Sequence, residues 1–329
     1  MRAWQVHEHG EPAQALRRTD APPPEPREGQ LRVRVAATAL GLPDVLMCRG
    51  SYPLTPALPF TPGQELVGEV LEAAPGAPAA VGERVMGVSL FTGGDGGFAQ
   101  EALLGGSMVF PAPAHLSDAE AAGFVIPYHT AHVGLVRRAG LREGEVLLVL
   151  GGAGGTGSAA IQLGRSLGAR VIATAGGAEK AAFCERLGAE LAIDYREQDV
   201  VEAVREATGG RGADVVYDPV GGEAFAAGAK CVAHEGRLLL IGFASGRWGQ
   251  PKSADLVFRN YSVVGAMPGS GFEREFNLSV HEDLMQRCGR GEIRVPIHRE
   301  FPFEELPEAL EEVASRRAQG KVVLRVSGD

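Results

Sequence analysis

The sequence predicts an α/β protein in which a doubly wound parallel sheet follows a β-rich first part. From residue 146 onward, six short apolar runs alternate with helix-permissive stretches, which is the pattern of a doubly wound sheet. Before that point, runs such as Leu31–Ala36 alternate apolar and polar residues, and clustered prolines mark the loops between them. The chain is therefore expected to combine a nucleotide-binding domain with a second, mainly β domain.

A glycine-rich turn is the strongest local signal. The apolar run Val146–Leu150 leads into the spacing Gly152-x-Gly154-x-x-Gly157, and a helix-permissive stretch follows. In this context the glycines allow a tight turn, close approach of a pyrophosphate and packing of helix on strand. Phosphates would then face the positive end of the helix. The turn residues expected to bind a dinucleotide are Gly152, Gly154, Gly155, Thr156 and Gly157.

The next predicted strand indicates which dinucleotide binds. About twenty residues beyond the turn, an NAD-binding chain usually places an acidic residue against the adenosine ribose. Here that point reads Thr174-Ala175-Gly176-Gly177, and Lys180 follows. Small neutral residues and a cation suit a ribose phosphate, so we expect NADPH. The alternative is that Lys180 lies on an exposed helix face without a ligand.

The remaining cofactor contacts are expected at one edge of the sheet. In doubly wound sheets, ligands bind outside the carboxyl ends of the strands. Those ends predict contacts from Thr174, Ala175, Gly176, Val220, Gly242, Phe243, Ala244 and Met267.

Composition limits the classes of partner. The 329-residue chain has a formal net charge of −9, which argues against nucleic acid or an anionic membrane as partner. The first residues lack the apolar core of a signal peptide, so a cytoplasmic location is expected. The 4 cysteines are far apart and form no CxxC pair, which disfavours a disulfide framework or a thiolate zinc site.

The end of the chain is predicted to return to the first domain. An amphipathic helix over Phe303–Arg317 precedes the apolar run Lys321–Val326. The parallel sheet already has its six predicted strands, so the run Lys321–Val326 is expected to join the first domain. The first domain would then be discontinuous in sequence.

Several stretches carry a family resemblance that runs almost end to end. They are Pro43–Pro53, Pro62–Gly68, Gly82–Val85, Tyr217–Gly222 and Gly236–Gly246. With the glycine turn, they resemble the zinc-free, zeta-crystallin-like quinone oxidoreductases of the medium-chain dehydrogenase/reductase superfamily. The resemblance implies a GroES-like catalytic domain of residues 1–123 and 266–329, with a Rossmann domain of residues 124–265 inserted. It also implies a homodimer or homotetramer joined through the nucleotide-domain sheets.

The resemblance also assigns cofactor contacts and argues against a metal. It implies that Thr130, Lys180 and Tyr195 touch the cofactor. The zinc-dependent branch has a histidine where this chain has Gln64 and a cysteine near Gly41. A catalytic zinc needs such ligands, so no zinc is expected. Quinone reductases of this type also show an asparagine where this chain has Gly41, which is a departure from the family pattern.

The resemblance places the candidate catalytic group before a proline-rich loop. Tyr52 lies in the stretch Gly50-Ser51-Tyr52-Pro53, and related enoyl-thioester reductases have a catalytic tyrosine at the equivalent place. Tyr52 is therefore expected to act as the proton or hydrogen-bond donor, with Asp44 and Tyr52 contacting substrate. The alternatives are that Tyr52 only lines the pocket and that Asp44 caps a helix or binds nearby backbone.

Together these features predict an NADPH-dependent oxidoreductase that reduces quinones by metal-free hydride transfer. One alternative is a reductase of enones or enoyl thioesters such as enoyl-CoA, so the small-molecule substrate is a quinone or an enone. A second alternative, from another class, is an NADPH-binding protein without catalysis.

Overall fold

The structure, a computed structural model, describes residues 1–269 and 271–326. Its strands, in chain order, are β1 (Arg2–Val6), β2 (Leu16–Asp20), β3 (Gln30–Leu40), β4 (Glu65–Ala73), β5 (Arg84–Ser89), β6 (Glu101–Pro111), β7 (Val146–Val149), β8 (Arg170–Ala175), β9 (Leu191–Asp194), β10 (Ala213–Asp218), β11 (Val232–Leu240), β12 (Ser262–Gly265), β13 (Ile297–Pro302) and β14 (Lys321–Arg325).

The helices of the described residues are mostly short in the first part of the chain and longer in the second. They are α1 (Pro12–Ala15), α2 (Leu42–Cys48), α3 (Asp118–Ala122), α4 (Val125–His132), α5 (Gly155–Ser166), α6 (Ala178–Leu187), α7 (Val200–Ala207), α8 (Gly222–Cys231), α9 (Ser253–Arg259), α10 (Arg274–Gly289) and α11 (Leu306–Ala314). A π-helical segment, Val133–Arg138, follows α4, and 3-10 turns cover Phe91–Gly93 and Phe303–Glu305.

The chain divides into two compact units. Unit 1 comprises Met1–Ile126, Gly271–Ser279 and Val295–Asp329, and unit 2 comprises Pro127–Ser270 and Val280–Arg294. The division falls inside α10. The domain boundaries predicted from sequence, 1–123 with 266–329 and 124–265, stay a prediction, and their residues 270 and 327–329 lie outside the described part.

Unit 2 is built on a parallel six-stranded sheet with the order β12-β11-β10-β7-β8-β9. Every residue of its central strand β7 is buried, as expected for a strand that helices cover on both faces. The order reverses between β7 and β10, and this point is where such sheets bind ligands. The doubly wound fold predicted from the sequence is confirmed.

Unit 1 is a β-structure in which four antiparallel strands, β3 to β6, close on themselves. The strand β3 pairs with β4, β4 with β5, β5 with β6, and β6 returns to β3. Side chains from alternating positions of β3, such as Leu31, Val33 and Val35, fill the interior. A second part of the sheet adds β14 and β13 beyond β3.

The last described strand confirms the predicted return of the chain. The strand β14 pairs antiparallel with β3, with Leu324 opposite Thr38. The predicted helix over Phe303–Arg317 is shorter in the structure, where a 3-10 turn leads into α11. Unit 1 is thus completed by residues from both ends of the sequence.

A buried ion pair fixes β14 to the start of β4. The ammonium nitrogen of Lys321 lies 2.6 Å from Oε1 of Glu65 and 3.1 Å from the carbonyl oxygen of Leu40. The second carboxylate oxygen of Glu65 accepts a hydrogen bond of 2.8 Å from the backbone N–H of Ile126. Glu65 is 1% exposed and Lys321 is 7% exposed. One carboxylate therefore joins segments from three parts of unit 1.

Of the helices in the described residues, none has the length and apolar character needed to cross a membrane.

Replacing Lys321 by methionine should destabilise the protein by about 3–5 kcal/mol, because it leaves the Glu65 carboxylate buried without its cation. Chemical denaturation followed by circular dichroism measures this loss. The control is Arg170→Met, which breaks the exposed pair of Arg170 with Glu190. That change should cost less than about 1 kcal/mol. Equal losses in the two variants would contradict the anchoring role of Lys321.

Candidate functional site

The glycine turn of unit 2 joins β7 to α5 as the sequence predicts. Gly154 is the N-terminal capping residue of α5, and the helix begins at Gly155. A Cβ atom on Gly157 would lie 2.4 Å from the carbonyl oxygen of Gly151 and 2.8 Å from the Cα of Gly152. No side chain fits at that distance, so Gly157 allows the first turn of the helix to pack on the strand end.

The same turn leaves room for a ligand at Gly154. A Cβ atom there would meet a single neighbour within 4 Å, the carbonyl oxygen of Gly151 at 3.6 Å, and Gly154 is exposed. The first N–H groups of α5, which include those of Thr156 and Gly157, have no acceptor within the helix. An open, glycine-lined helix N-terminus of this kind fits the pyrophosphate of a dinucleotide.

The end of β8 holds the glycine turn in place. The hydroxyl of Thr174 accepts a hydrogen bond of 3.3 Å from the N–H of Gly151, and its carbonyl oxygen accepts one of 2.8 Å from the N–H of Gly152. Thr174 and Ala175 are both buried. The two predicted contact residues thus lie beside the turn, and Thr174 shapes it.

Tyr195 and Lys180 lie at the same edge of the sheet, together with a residue that the sequence analysis missed. A Cβ atom on Gly176 would lie 2.5 Å from the hydroxyl oxygen of Tyr195 and 3.3 Å from Nε of Arg196. Tyr195 is 54% exposed, Arg196 is exposed and Lys180 is half-buried. The phenol of Tyr195 and the guanidinium of Arg196 therefore lie beside Gly176 at the end of β8, where the ribose of a dinucleotide would lie. Lys180 lies in the first turn of α6, where its N–H donates to the carbonyl oxygen of Gly177. In the sequence, Arg196 directly follows Tyr195, and this position could have identified it as a further cofactor contact.

The carboxylate of Asp194, at the end of β9, accepts hydrogen bonds from backbone N–H groups. One carboxylate oxygen of Asp194 accepts hydrogen bonds of 2.8 Å from the N–H of Gly177 and 3.0 Å from the N–H of Arg196. These hydrogen bonds from Gly177 and Arg196 lower the pKa of Asp194. Asp194 thus orders the turn that presents Tyr195 and Arg196.

The ends of β10 and β11 place the other predicted contacts. Oδ1 of Asp218 accepts a hydrogen bond of 2.8 Å from the N–H of Val220, which links the strand end to the following turn. The ring of Phe243 packs on the exposed Trp248 with centroids 4.5 Å apart. The remaining predicted contacts in this region are Gly242 and Ala244, both half-buried, and Met267, which is 55% exposed.

Thr130 lies on α4, where it is 7% exposed. Its neighbour His129 is fully buried, with Nε2 at 3.2 Å from Nδ1 of His281. Burial lowers the pKa of His129 well below its ordinary value, so His129 is neutral at physiological pH. Because its ring is fully buried, His129 is a packing residue of unit 2.

In unit 1, Tyr52 follows α2 and packs against the main hydrophobic cluster. Its backbone carbonyl oxygen accepts a hydrogen bond of 2.7 Å from the hydroxyl of Thr55. Burial raises the pKa of the Tyr52 phenol, while interaction with the side chain of Gln64 lowers it. The net direction is upward, so Tyr52 stays protonated at neutral pH and can donate a hydrogen bond. From the sequence, Gln64 is predicted only as the residue that replaces a histidine zinc ligand.

The Asp44 carboxylate accepts hydrogen bonds from two backbone N–H groups of unit 1. Its Oδ2 accepts a hydrogen bond of 2.8 Å from the N–H of Gly41, and its Oδ1 accepts one of 3.2 Å from the N–H of Gly63. The side chain is 1% exposed. These contacts agree with the alternative expectation, that Asp44 caps a helix or binds nearby backbone. The substrate contact of Asp44 stays a prediction.

Within residues 1–269 and 271–326, no group of three or more His, Cys, Asp or Glu side chains is arranged to hold a metal ion. The absence of zinc stays a prediction. The structure thus groups the predicted residues in two sets: the glycine turn with the ends of β8 and β9 in unit 2, and Tyr52 with Gln64 and Asp44 in unit 1.

The buried Asp44 carboxyl should make stability depend on pH. Burial raises the pKa of Asp44 to about 7. The positive charge of Lys321 lowers this pKa, and the negative charge of Glu65 raises it. The unfolded chain releases this proton near pH 4. Since the folded state holds the proton longer, the contribution is present below about pH 4 and is lost as pH rises to about 7.

Asp44→Asn should remove this contribution. The free energy of unfolding of the variant, relative to wild type, should increase as pH rises from about 4 to about 7. Urea denaturation at several pH values measures it. The control is Asp199→Asn, which removes another helix-capping carboxylate, one that accepts from the N–H of Glu202 at 2.9 Å. Parallel profiles for wild type and Asp44→Asn would contradict the expectation.

Comparison with known proteins places the chain in a family. Residues 27–114 match the family described as alcohol dehydrogenase GroES-like domain, and residues 155–282 match zinc-binding dehydrogenase. The chain is 35% identical over 301 residues to a quinone oxidoreductase-like protein 2 homolog from Nematostella vectensis, covering 90% of this chain and 81% of that protein.

Solved structures agree with this placement. An Escherichia coli quinone oxidoreductase complexed with NADPH has a TM-score of 0.91 and 28% identity, covering 99% of this chain and 100% of that one. An NAD-dependent alcohol dehydrogenase has a TM-score of 0.89 and 31% identity, with coverage of 99% and 100%. The predicted GroES-like and Rossmann-type folds are thereby confirmed. The chain belongs to the quinone oxidoreductase family of the medium-chain dehydrogenase/reductase superfamily.

Proposed function

We propose that the protein is an NADPH-dependent oxidoreductase that reduces quinones by metal-free hydride transfer. The observation that supports this most is the set of groups at the end of β8, where the Tyr195 hydroxyl and the Arg196 guanidinium lie beside Gly176 and Lys180 lies in the first turn of α6. A ribose phosphate is dianionic and has several acceptor oxygens, which cationic and phenolic donors match. The Escherichia coli neighbour was itself solved with NADPH.

The cofactor would bind along the carboxyl edge of the unit 2 sheet. The open space at Gly154 and the N–H groups of Thr156 and Gly157 fit the pyrophosphate, and Lys180, Tyr195 and Arg196 fit the ribose phosphate. Thr130, Val220, Gly242, Phe243, Ala244 and Met267 are proposed as further contacts. When bound, the nicotinamide supplies the hydride.

Removing the proposed phosphate ligands should change the cofactor preference. The double variant Lys180→Ala with Arg196→Ala should raise the KM for NADPH about tenfold or more, since each lost ligand removes a charge-assisted hydrogen bond. The KM for NADH should stay unchanged, because NADH has no ribose phosphate. Steady-state kinetics with both cofactors measures this.

The matched control for this prediction is Arg186→Ala, which removes a cation from the last turn of α6 where it lies over Phe183. It should leave both KM values unchanged. An equal rise in KM for NADPH and NADH in the double variant would contradict the assignment of a phosphate site.

Unit 1 is proposed to supply the proton donor. When a quinone or enone accepts a hydride at carbon, its carbonyl oxygen gains negative charge, and a neutral donor stabilises that charge. The Tyr52 phenol suits this task because burial raises its pKa and keeps it protonated. Gln64 and Gly41 stand where the zinc-dependent branch has metal ligands, which supports a reaction without zinc.

The test of this function is an acceptor panel with the purified protein. NADPH oxidation is followed with 1,2-quinones, 1,4-quinones, simple enones and enoyl-CoA thioesters. Turnover of quinones supports the proposal. Turnover of enones or thioesters alone would instead assign an enone or enoyl-thioester reductase. Tyr52 could serve as the donor in that reaction too. Tight NADPH binding with no turnover of any acceptor would assign a non-catalytic binding protein.

Tyr52→Phe should lower kcat by about a hundredfold while leaving NADPH affinity unchanged, because it removes one hydrogen-bond donor from the developing oxyanion. Turnover of the best acceptor and fluorescence titration with NADPH measure the two quantities. The control is Tyr261→Phe, since Tyr261 packs beneath Arg259 in unit 2. Wild-type turnover in Tyr52→Phe would contradict the role as donor and leave Tyr52 as a lining residue.

The remaining proposals concern organisation. We propose that the catalytic domain comprises residues 1–123 and 266–329 around a nucleotide domain of residues 124–265, and that the protein acts in the cytoplasm.

We further propose a homodimer or homotetramer joined through the nucleotide-domain sheets. Two features support the latter: β12 lies at the edge of its sheet, and the nearby Val257 and Phe258 of α9 are 69% and 86% exposed.

Light scattering at micromolar concentration should therefore give the mass of two or four chains. Phe258→Glu should shift this mass toward that of one chain, because burying an unpaired carboxylate in an interface is unfavourable. The exposed Val81→Glu in unit 1 serves as the control, with no expected change. A monomeric wild-type protein would contradict the proposed assembly.

A further inference from the structure

A cavity with basic walls lies at the amino edge of the unit 2 sheet, opposite to the edge that carries the glycine turn. Its volume is about 300 Å³, and its lining includes the side chains of Arg205, Arg211, Lys230, His234 and Arg259. The other lining residues are two glycines and a valine, so none of the described residues around it is acidic. This concentration of basic groups is a local exception in a chain whose formal net charge is −9.

The topology of the sheet brings these basic groups together. Arg205, Lys230 and Arg259 lie in the last turns of α7, α8 and α9. These helices lead into β10, β11 and β12, so their ends meet where the parallel strands begin. The strand β10 has 6 residues, so the cavity lies roughly 15–20 Å from Asp218 at the far end of that strand. The cavity is thus separate from the proposed cofactor site.

The loop between α7 and β10 forms one wall of the cavity and is held by hydrogen bonds. The N–H of Gly210 donates to the carbonyl oxygen of Arg205 at 2.7 Å, and the hydroxyl of Thr208 accepts from the N–H of Gly212 at 2.9 Å. Gly212 has a φ of +89°, and a Cβ atom there would lie 2.5 Å from the carbonyl oxygen of Cys231. The glycine therefore lets this loop lie directly against the end of α8.

Two of the arginines are held in place by other groups of unit 2. The guanidinium of Arg259 donates to the carbonyl oxygen of Ala229 at 2.6 Å and to that of Val232 at 2.7 Å. Arg211 forms an ion pair with Asp214, with 2.5 Å between nitrogen and oxygen. Because carbonyl groups carry no net charge, Arg259 keeps its positive charge, whereas Asp214 balances that of Arg211.

The other three basic side chains have no such partner. Arg205, Lys230 and His234 are exposed, and they make no ion pair or side-chain hydrogen bond with any other described residue. Glu202 and Glu206 line a neighbouring cavity that Arg205 and Lys230 also line, yet neither acid pairs with them in the described part of the chain. Two unpaired cations thus share a cavity with the fixed charge of Arg259. Like charges at close range repel, and a bound anion relieves this repulsion.

We propose that this cavity is an anion-binding site for a diphosphate group, either inorganic or carried by a nucleoside, with Arg205, Lys230 and Arg259 as its ligands. Their N–H groups match the acceptor oxygens of a diphosphate, and their three charges match its several negative charges. The cavity volume corresponds to about ten water molecules at roughly 30 Å³ each, so a diphosphate fits. The site does not depend on the proposed function, since it lies at the other edge of the sheet.

The experiment is isothermal titration calorimetry of the full-length protein with inorganic diphosphate as the probe. NADPH is present at saturation, so that the glycine turn is already filled. One equivalent of diphosphate should bind. The double variant Arg205→Gln with Lys230→Gln should weaken this binding at least tenfold, because it removes two charge-assisted hydrogen bonds, and it should leave NADPH affinity unchanged.

The matched control is Arg165→Gln with Arg186→Gln. It removes the same charge from the last turns of α5 and α6, outside the cavity, and should leave diphosphate affinity unchanged. An equal loss in the two double variants would show that binding follows net charge alone, which would overturn the proposal. Absence of diphosphate binding, or binding that Arg205→Gln with Lys230→Gln leaves unchanged, would overturn it as well.

A parallel titration with ADP identifies the source of the diphosphate group. ADP that binds more tightly than inorganic diphosphate, and is weakened by Arg205→Gln with Lys230→Gln, sustains the site and assigns it to a nucleoside diphosphate. ADP that binds no more tightly sustains the site for the inorganic anion, provided that diphosphate itself binds as expected. If the protein binds no NADPH, the proposed function fails, and the comparison of the two double variants still tests the cavity.

Discussion

The buried carboxylate of Glu65 is the constraint on which unit 1 depends. It binds the ammonium of Lys321 from the end of the chain and the N–H of Ile126 from the start of α4. Gln64, the residue directly before it, is therefore held at a defined point of the fold. An ion pair with little exposure is costly to form from solvated charges, and it persists because both oxygens of Glu65 have partners.

Much of unit 2 could be predicted from sequence because its signals are local. The glycine turn, the alternation of strands and helices and the strand ends all follow from short stretches, and the observed strand order agrees with them. The return of β14 to unit 1 was also predictable, because the first sheet was the remaining place for an apolar strand. Arg196 escaped notice because its contact with Gly176 depends on how the turn after β9 folds back.

The polar interior of unit 1 could not be predicted from sequence. Glu65 and Lys321 are 256 residues apart, and no periodicity links them. From its residue type alone, Asp44 could contact a substrate. In the structure its carboxylate accepts a hydrogen bond from the N–H of Gly63, and that contact depends on where the chain places Gly63. The same burial that raises the pKa of Asp44 to about 7 also reduces stability at neutral pH. Such a cost is typical of residues kept for the geometry of a functional site.

In the proposed reaction, hydride passes from NADPH to the acceptor without a metal. The most direct measurement is the single-turnover rate of NADPH oxidation by the best acceptor, compared with NADPH deuterated at the transferred position, before and after exhaustive chelation. Metal-free hydride transfer predicts a slower rate with the deuterated cofactor and no effect of chelation on either rate. Loss of activity on chelation, restored by adding zinc, would contradict it.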